Sequence, residues 1–309
     1  MQNILITGGL GYIGSKIASL YFNDPNNNVT VIDNHINLKT ITQLKSNGVE
    51  FENLDILDRK KLSPLVKKAD TIFHLAGVTS VPRTKNQESD KLNKQIFETA
   101  TLGTRNILEE MKDSTKIIFP STHVVFEGLK DIKFDIDEEY ETSPVLVYAE
   151  SKLQNEIDIS KYCSNFIILR LGSVHGLNTI TTRYNIMVNL FAQIAANNGS
   201  INLHGGGIQL KSLVSIDDVT LCFKYFAENH KISNEIFHCV SENMTVKEVA
   251  ELCKKYCKNI EINITDEEIP NHGYALSNKK LLNAGFKFKN TVEDSIIDII
   301  HNERLSNDK

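Results

Sequence analysis

The stretch Thr7-Gly8-Gly9-Leu10-Gly11-Tyr12-Ile13-Gly14 decides the fold. It follows the apolar run Ile4-Leu5-Ile6 and leads into Ser15-Lys16-Ile17-Ala18-Ser19-Leu20-Tyr21, which reads as a helix. A strand, a glycine-rich turn and a helix N-terminus together make an anion site. The N–H groups of the turn point outward, and the helix dipole favours negative charge. Gly8, Gly11 and Gly14 are spaced G-x-x-G-x-x-G, not the commoner G-x-G-x-x-G.

Outward from this turn, strand and helix signals alternate. Asn3 to Thr7 is predicted as a strand and Gly11 to about Phe22 as a helix, broken by Asp24-Pro25-Asn26-Asn27-Asn28. Val29-Thr30-Val31-Ile32 is a second strand ending at Asp33. This acid follows Gly14 by about 20 residues, where a βαβ unit bonds the adenosine ribose hydroxyls. A carboxylate there repels a 2′-phosphate, and no Arg follows in Asn34-His35-Ile36-Asn37, so the expected cofactor is NAD, not NADP. As an isolated strand-end residue, Asp33 would read as a turn or cap; the glycine turn ahead of it favours the cofactor role.

Val49-Glu50-Phe51 leads to Asp55-Ile56-Leu57-Asp58 and a helix to about Lys68. Thr71-Ile72-Phe73-His74-Leu75-Ala76-Gly77 is a fourth strand with a small-residue exit, where backbone can pass close to a dinucleotide. A long helix is expected from about Glu88 to Met111, buried along Ile96, Ala100, Gly103, Ile107 and Met111. Lys116-Ile117-Ile118-Phe119 is the fifth strand. Such alternation predicts an α/β fold with a doubly wound parallel sheet (Rossmann type) and right-handed crossovers. Residues 1–175 are expected to form the NAD-binding domain. Residues 176–309 are expected to form a smaller, mainly substrate-binding α/β domain, with the chain crossing back to the sheet.

Composition narrows the class. The chain has 309 residues, 41% of them hydrophobic, and a formal net charge of −5. That balance gives no electrostatic case for nucleic-acid or membrane-surface binding. No apolar run approaches the length of a membrane span, and no basic leader precedes the first strand. The five cysteines are an odd number, which suggests reduced thiols and a cytoplasmic location. Cys253 and Cys257 lie one helical turn apart with no clustered His or Cys, so a helix face is the better reading and no metal site is expected.

The chemistry sits after strand five. Pro120-Ser121-Thr122-His123-Val124-Val125-Phe126 ends that strand, and a helix starting near Val147 carries Tyr148-Ala149-Glu150-Ser151-Lys152. Tyr and Lys at i, i+4 share a helical face. A nearby ammonium favours tyrosinate. Bringing a tyrosine pKa of about 10 to near 7 takes roughly 4 kcal/mol of differential stabilisation. Such a tyrosine takes the proton from a substrate alcohol while hydride leaves the same carbon.

On these segments the chain resembles the extended short-chain dehydrogenase/reductases of the nucleotide-sugar epimerase/dehydratase family. The matching stretches are Thr7 to Gly14, Asp33, Asp55-Ile56, His74 to Gly77, Ser121-Thr122, Tyr148 to Lys152, Leu169-Arg170-Leu171 and Gly205 to Val219. The resemblance implies that Gly8, Gly11, Tyr12, Ile13, Gly14, Asp33, Asn34, Asp55, Ile56, Leu75, Ala76 and Gly77 hold NAD, with Asp55 and Ile56 at the adenine. It makes Tyr148 the base, Lys152 its tuner and ribose ligand, and Thr122 the hydroxyl partner at the sugar. The substrate set that goes with it is Thr79, Thr122, His123, Arg183, Asn189 and Lys211. The implied activity is epimerisation of a nucleotide-diphosphate sugar at C4 by transient oxidation to a 4-keto sugar. A one-way 4-dehydrogenase or 4-keto-sugar reductase is the alternative. A silent dinucleotide sensor is disfavoured because Tyr148 and Lys152 are both present. Relatives commonly pair two helices across a two-fold axis, so a homodimer is expected.

Departures from the family pattern narrow the reaction. Sugar 4,6-dehydratases place Asp-Glu after this threonine, and nucleotide-sugar acid decarboxylases often place Glu at the second position. Here they are His123 and Val124, and valine is no base. His123 reads as an auxiliary acid or as a packing residue. Ser173 stands in the usual Asn place and His175 in the usual Tyr place. Arg183 is expected to orient the substrate; Asn189 reads equally as a diphosphate ligand or as a polar face residue. Lys211 replaces the arginine that grips the nucleotide phosphates, keeping the charge but losing the bidentate fork. Asp217 and Asp218 read as first-turn charges. Tyr274 reads as a substrate contact or as loop packing.

Overall fold

The computed structural model describes residues 1–79, 89–265, 267 and 271–307. Glu88, the expected start of the long helix, lies outside the described residues, as do Glu268, Ile269 and Pro270 of the C-terminal stretch. The chain divides into two units. The first comprises Met1–Val125, Pro144–Arg170 and Thr220–Phe237; the second comprises Phe126–Ser143, Leu171–Val219 and His238–Lys309.

Numbered in chain order, the first unit starts with β1 (Gln2–Thr7), α1 (Tyr12–Ser19), β2 (Asn27–Asp33), α2 (Leu38–Ser46) and β3 (Glu50–Asn53). It continues with α3 (Arg59–Lys68), β4 (Thr71–His74), α4 (Asp90–Glu110) and β5 (Lys116–Thr122), then α5 (Val147–Tyr162) and β7 (Phe166–Leu171). After a return from the second unit come α7 (Ile216–Glu228) and β11 (Glu235–Cys239). The strands form a seven-stranded sheet in the order β11-β7-β5-β4-β1-β2-β3. The pairings β2 with β3, β1 with β2, β1 with β4 and β4 with β5 are all parallel. The strand order reverses between β1 and β4, and such a switch point opens a crevice beyond the strand C-termini.

The strands are apolar on both faces because helices cover both. Leu5, Ile32, Ile72, Ile117, Phe119 and Ile168 lie in one cluster with Leu62 and Val66 of α3, Ile107 of α4 and Ile159 of α5. Helix α4 buries Ile96, Ala100, Gly103, Thr104 and Ile107, close to its expected face. Helix α1 stops at Ser19, short of Phe22, because the next N–H groups bond three residues back: Leu20 to Ile17, Tyr21 to Ala18 and Phe22 to Ser19. Strand β5 runs past Phe119 to Thr122 with every residue buried. Its first residue, Lys116, is 2% exposed, and its ammonium donates to the carbonyls of Phe226, Asn229 and Ile232 at 2.8, 2.9 and 2.9 Å. It thereby caps the end of α7 and the turn toward β11.

Among its described residues the second unit holds three small sheets. One has the order β12 (Glu242–Thr245), β10 (Leu210–Ser215), β8 (Ser173–His175). Another pairs β13 (Glu261–Thr265) with β9 (Ser200–His204), and the third pairs β14 (Tyr274–Leu276) with β6 (Lys133–Ile136). Helices α6 (Met187–Ala196), α8 (Val246–Tyr256), α9 (Lys279–Asn283) and α10 (Val292–Asn307) complete it. Val188, Ala192, Leu213, Val249, Cys253, Ile296 and Ile299 share its main core cluster. Helix α8 starts in the expected capping box: the Thr245 hydroxyl accepts the Glu248 N–H, and the Glu248 carboxylate accepts the Thr245 N–H. Cys253 and Cys257 are buried in that core, and the Arg304 guanidinium donates to the Cys257 Sγ at 3.0 Å. Asp218 does more than support a helix dipole. Its carboxylate accepts the Ser215 hydroxyl and the N–H groups of Lys289 and Asn290, pinning the approach to α10.

Candidate active site

The glycine turn is shaped by what it has no room for. Gly8 has φ +68°, and a Cβ there would lie 2.7 Å from the Ala76 nitrogen. A Cβ on Gly14 would lie 2.3 Å from the Gly8 carbonyl oxygen. The turn therefore packs directly against the exit of β4 and against itself, leaving bare backbone at the start of α1. Gly11 is the N-cap of α1 and contributes no side-chain cap. Thr7 joins the two backbone segments. Its hydroxyl accepts the Ala76 N–H at 3.0 Å, and its carbonyl accepts the Leu75 N–H at 3.1 Å.

Behind that junction lies a buried polar chain that sequence reasoning missed. His74 Nδ1 lies 2.9 Å from the Thr7 Oγ1, and His74 Nε2 lies 3.0 Å from the Thr104 Oγ1 of α4. A Thr7 hydroxyl donating to Nδ1, with Nε2–H donating to Thr104, gives both ring nitrogens a partner. Burial, reinforced by the nearby Lys152 charge, pulls His74 down to about 3, so the imidazole is neutral. The available signal was an imidazole in a strand whose other residues are apolar or small.

At the adjoining strand ends the structure gathers Asp33, Asn34 and Asp55. The Asp33 carboxylate accepts the Leu10 N–H at 3.0 Å and the His35 N–H at 2.9 Å. The Asn34 amide donates to the Asp55 carboxylate at 3.0 Å, and the other Asp55 oxygen accepts the Leu57 N–H at 2.9 Å. Ile56 is buried against α4, where a Cβ on Gly103 would lie 2.2 Å from its Cδ1. Tyr12 and Ile13 are half-buried on the first turn of α1. Leu75 and Ala76 are half-buried, whereas Gly77 and Thr79 are exposed.

Helix α5 grips the end of β5 with one face. Tyr148, Lys152 and Glu156 are spaced i, i+4, i+8. The Lys152 ammonium donates to the Pro120 carbonyl at 2.8 Å and lies 4.4 Å from the centre of the Phe119 ring. The Glu156 carboxylate accepts the hydroxyl of the next residue, Ser121. It also takes a fork from Arg170 of β7, Nε at 3.1 and 3.2 Å and Nη2 at 2.8 Å, with both partners buried. The following residue is Thr122, 6% exposed, whose hydroxyl oxygen accepts the Val124 N–H at 3.2 Å. Burial pulls Lys152 down to about 8, against the opposing pull of Glu156. His123 is half-buried in a short 3-10 turn, His123–Phe126. Val124 sits in an apolar cluster with Leu146 and Ala149.

The remaining expected residues belong to the second unit. Asn189 is 0% exposed. Its carboxamide oxygen accepts the Gly176 N–H at 2.8 Å, and its nitrogen donates to the carbonyls of Gly176 at 3.3 Å and Arg183 at 3.0 Å. The Arg183 guanidinium donates to Asn185 at 3.0 Å. His175 bonds Ser295 at 2.9 Å, and burial pulls it down to about 3. Burial also lowers Lys211, while the Glu127 carboxylate pushes the other way; Glu127 itself is raised by burial. Lys211 thus has its counter-charge within the chain. Tyr274 is buried edge-on to Phe126 at 6.1 Å, and burial raises its phenol far above the usual range.

A dinucleotide fits what the first unit offers. Bare backbone and an uncapped helix start suit a pyrophosphate, Asp33 suits ribose hydroxyls, and a lysine fixed beside a tyrosine suits a redox carbon. The family model for NAD dependent epimerase/dehydratase proteins matches residues 4–239. The chain is similar to UDP-N-acetyl-alpha-D-glucosaminuronate decarboxylase of Bacillus cytotoxicus, 27% identical over 259 residues, 81% of this chain and 78% of that one. It is 31% identical over 188 residues to UDP-glucose 4-epimerase of Mycoplasma genitalium, covering 59% of this chain and about half, 51%, of that relative. In fold it resembles UDP-glucuronic acid 4-epimerase from Bacillus cereus, solved with UDP-glucuronic acid and NAD, at a TM-score of 0.84 and 21% identity over 99% of this chain and all of that one. The turn, the carboxylates at the strand ends and the Tyr148–Lys152 helix all fall within the matched residues, and the chain belongs to the NAD-dependent epimerase/dehydratase family.

Proposed function

We propose that the chain is an NAD-dependent epimerase acting at C4 of a nucleotide-diphosphate sugar, with a UDP-sugar as the first substrate to test. The observation that carries this is the shared face of Tyr148 and Lys152 on α5, with the Lys152 amine anchored on Pro120 two residues before Thr122. Bound on the glycine turn, NAD would supply reversible hydride acceptance. Gly8, Gly11, Tyr12, Ile13 and Gly14 hold its pyrophosphate, Asp33 and Asn34 its ribose, Asp55 and Ile56 its adenine end. Leu75, Ala76 and Gly77 form the wall it passes.

Tyr148 takes the proton of the C4 hydroxyl onto its phenolate oxygen and gives it back to the other epimer. Lys152 favours that phenolate by its charge, and Thr122 hydrogen-bonds the same sugar hydroxyl. Thr79, His123, Arg183 and Lys211 meet the rest of the substrate. Asn189 acts by bracing the backbone of Gly176 and Arg183, since its carboxamide is committed there. Val124, packed on Leu146 and Ala149, offers no carboxylate for dehydration or decarboxylation, which supports the epimerase over those relatives' reactions. The five cysteines are buried thiols, which supports a reducing, cytoplasmic setting. Phe97 and Leu102 on α4 and Ile157 and Tyr162 on α5 are exposed apolar residues, which supports a homodimer through these helices.

The test is a panel of UDP-sugars incubated without added NAD, with the C4 epimers resolved by proton NMR. Epimer formation at catalytic turnover is expected, and Tyr148→Phe is expected to abolish it while NAD still co-purifies. Stoichiometric oxidation or reduction of one sugar with no epimer would replace this reading with a one-way dehydrogenase or reductase.

A further inference from the structure

We propose that Glu156 is a positioning residue for the Tyr148–Lys152 pair, holding the end of β5 through Ser121 while Arg170 holds its carboxylate. This rests on the function proposed above and adds the group that sets the pair's geometry and charge.

The argument starts from spacing. Residues 148, 152 and 156 lie one helical turn apart on the same face of α5. Two of them fasten consecutive residues of β5, Lys152 to the Pro120 carbonyl and Glu156 to the Ser121 hydroxyl. Thr122, the sugar's hydroxyl partner, is the next residue along. The helix that carries the base and the strand that carries its partner are thus joined at two successive points. A loss at the second point leaves Lys152 as the remaining one of these two fastenings.

Charge reinforces geometry. Glu156 and Arg170 are 3% and 5% exposed, and a carboxylate that deep is stable only when paired. Arg170 supplies the pairing through its planar fork. Among the groups around Lys152, Glu156 of α5 raises the ammonium's affinity for its proton, and His74 of β4 is neutral. Phe119 and Pro120 of β5 present a ring face and a carbonyl. Glu156 is therefore the carboxylate that keeps Lys152 charged, and Arg170 is what keeps Glu156 charged at that depth.

This arrangement predicts effects of the same sign from its two members. Glu156→Gln removes the negative charge, so Lys152 titrates at lower pH. Arg170→Met leaves the buried Glu156 without the partner its charge needs, so that charge is lost too and Lys152 again titrates at lower pH. A purely structural pair would move stability in both variants and leave the titration alone. The readout is the lysine 13Cε NMR titration of Lys152 in the NAD-bound protein, assigned with Lys152→Met, which needs no knowledge of the sugar. Alongside it, kcat is expected to fall on the order of tenfold or more in Glu156→Gln with KM little changed, as a small misplacement of reacting groups does.

Ser121→Ala guards against misfolding, since it leaves the Glu156–Arg170 ion pair whole. It is expected to lower kcat while the protein stays folded, and Glu156→Asp is expected to recover part of the Glu156→Gln loss. If folded Glu156→Gln and Arg170→Met leave Lys152 titrating as in the native protein, the proposal is overturned. Where either fails to fold, an unaltered kcat in Ser121→Ala overturns it. If no UDP-sugar turns over, the epimerase reading fails while the titration still decides the role of Glu156.

Discussion

The Asp33 carboxylate accepts the backbone N–H of Leu10 at 3.0 Å, so the acid expected to hold the ribose also braces the glycine turn. Its second oxygen is engaged by the His35 N–H. Asp33→Asn keeps one acceptor oxygen and removes the charge. It is expected to weaken NAD binding by roughly tenfold, the scale of one hydrogen bond to a charged group. Affinity for NADP relative to NAD should rise, because the repulsion of the 2′-phosphate is gone. Calorimetric titration with both cofactors checks this, and an unchanged ratio would remove Asp33 as the specificity residue.

Burial pulls the Lys152 ammonium down to about 8, against the pull of Glu156. The sign follows from the charge. Below that pH the lysine is protonated and supports the Tyr148 phenolate; as pH rises through about 8 it becomes neutral and the support is lost. The kcat profile is therefore expected to fall on the alkaline side near pH 8. Lys152→Arg keeps its charge throughout, so whatever turnover survives in it should lack that descending limb. A limb that persists in the arginine variant would assign it to another group.

Lys116 gathers three carbonyls on one buried ammonium. Lys116→Met fills the space and leaves those carbonyls without their donor. The expected cost is about 2–4 kcal/mol in urea unfolding, from the loss of charge-assisted bonds and the orphaned acceptors. A cost below about 0.5 kcal/mol would mean that water replaces the ammonium.

What the sequence made legible was whatever depends on neighbours in the chain. The glycine turn, the Tyr148–Lys152 spacing and the Thr245–Glu248 box are short-range patterns whose chemistry follows from their register, and the box formed as expected. The sheet followed from alternation of apolar runs. Bonds spanning long separations were not legible. Thr7 with His74, Asp33 with Leu10 and Arg170 with Glu156 each join residues on different elements. Arg170 carried a signal that stayed unread: a guanidinium inside the buried strand Phe166–Leu171 demands a buried carboxylate, and Glu156 stands on the face that Tyr148 and Lys152 already defined. Short strands such as Ser173–His175 gave no signal, because three residues show no period. Asn189 looked like a ligand or a face residue, and only its surroundings reveal a carboxamide used as a backbone brace.

Thr220–Phe237 returns to the first unit after a long excursion, and β11 ends at Cys239. This imposes an order on synthesis. The turn, β1 to β5 and the Tyr148–Lys152 helix leave the ribosome well before the strand that completes their sheet. Until residue 239 emerges, β7 is an open edge able to pair with another nascent chain. The three carbonyls that Lys116 binds do not yet exist. The cofactor's side of the molecule is thus assembled early, and its sheet is sealed late.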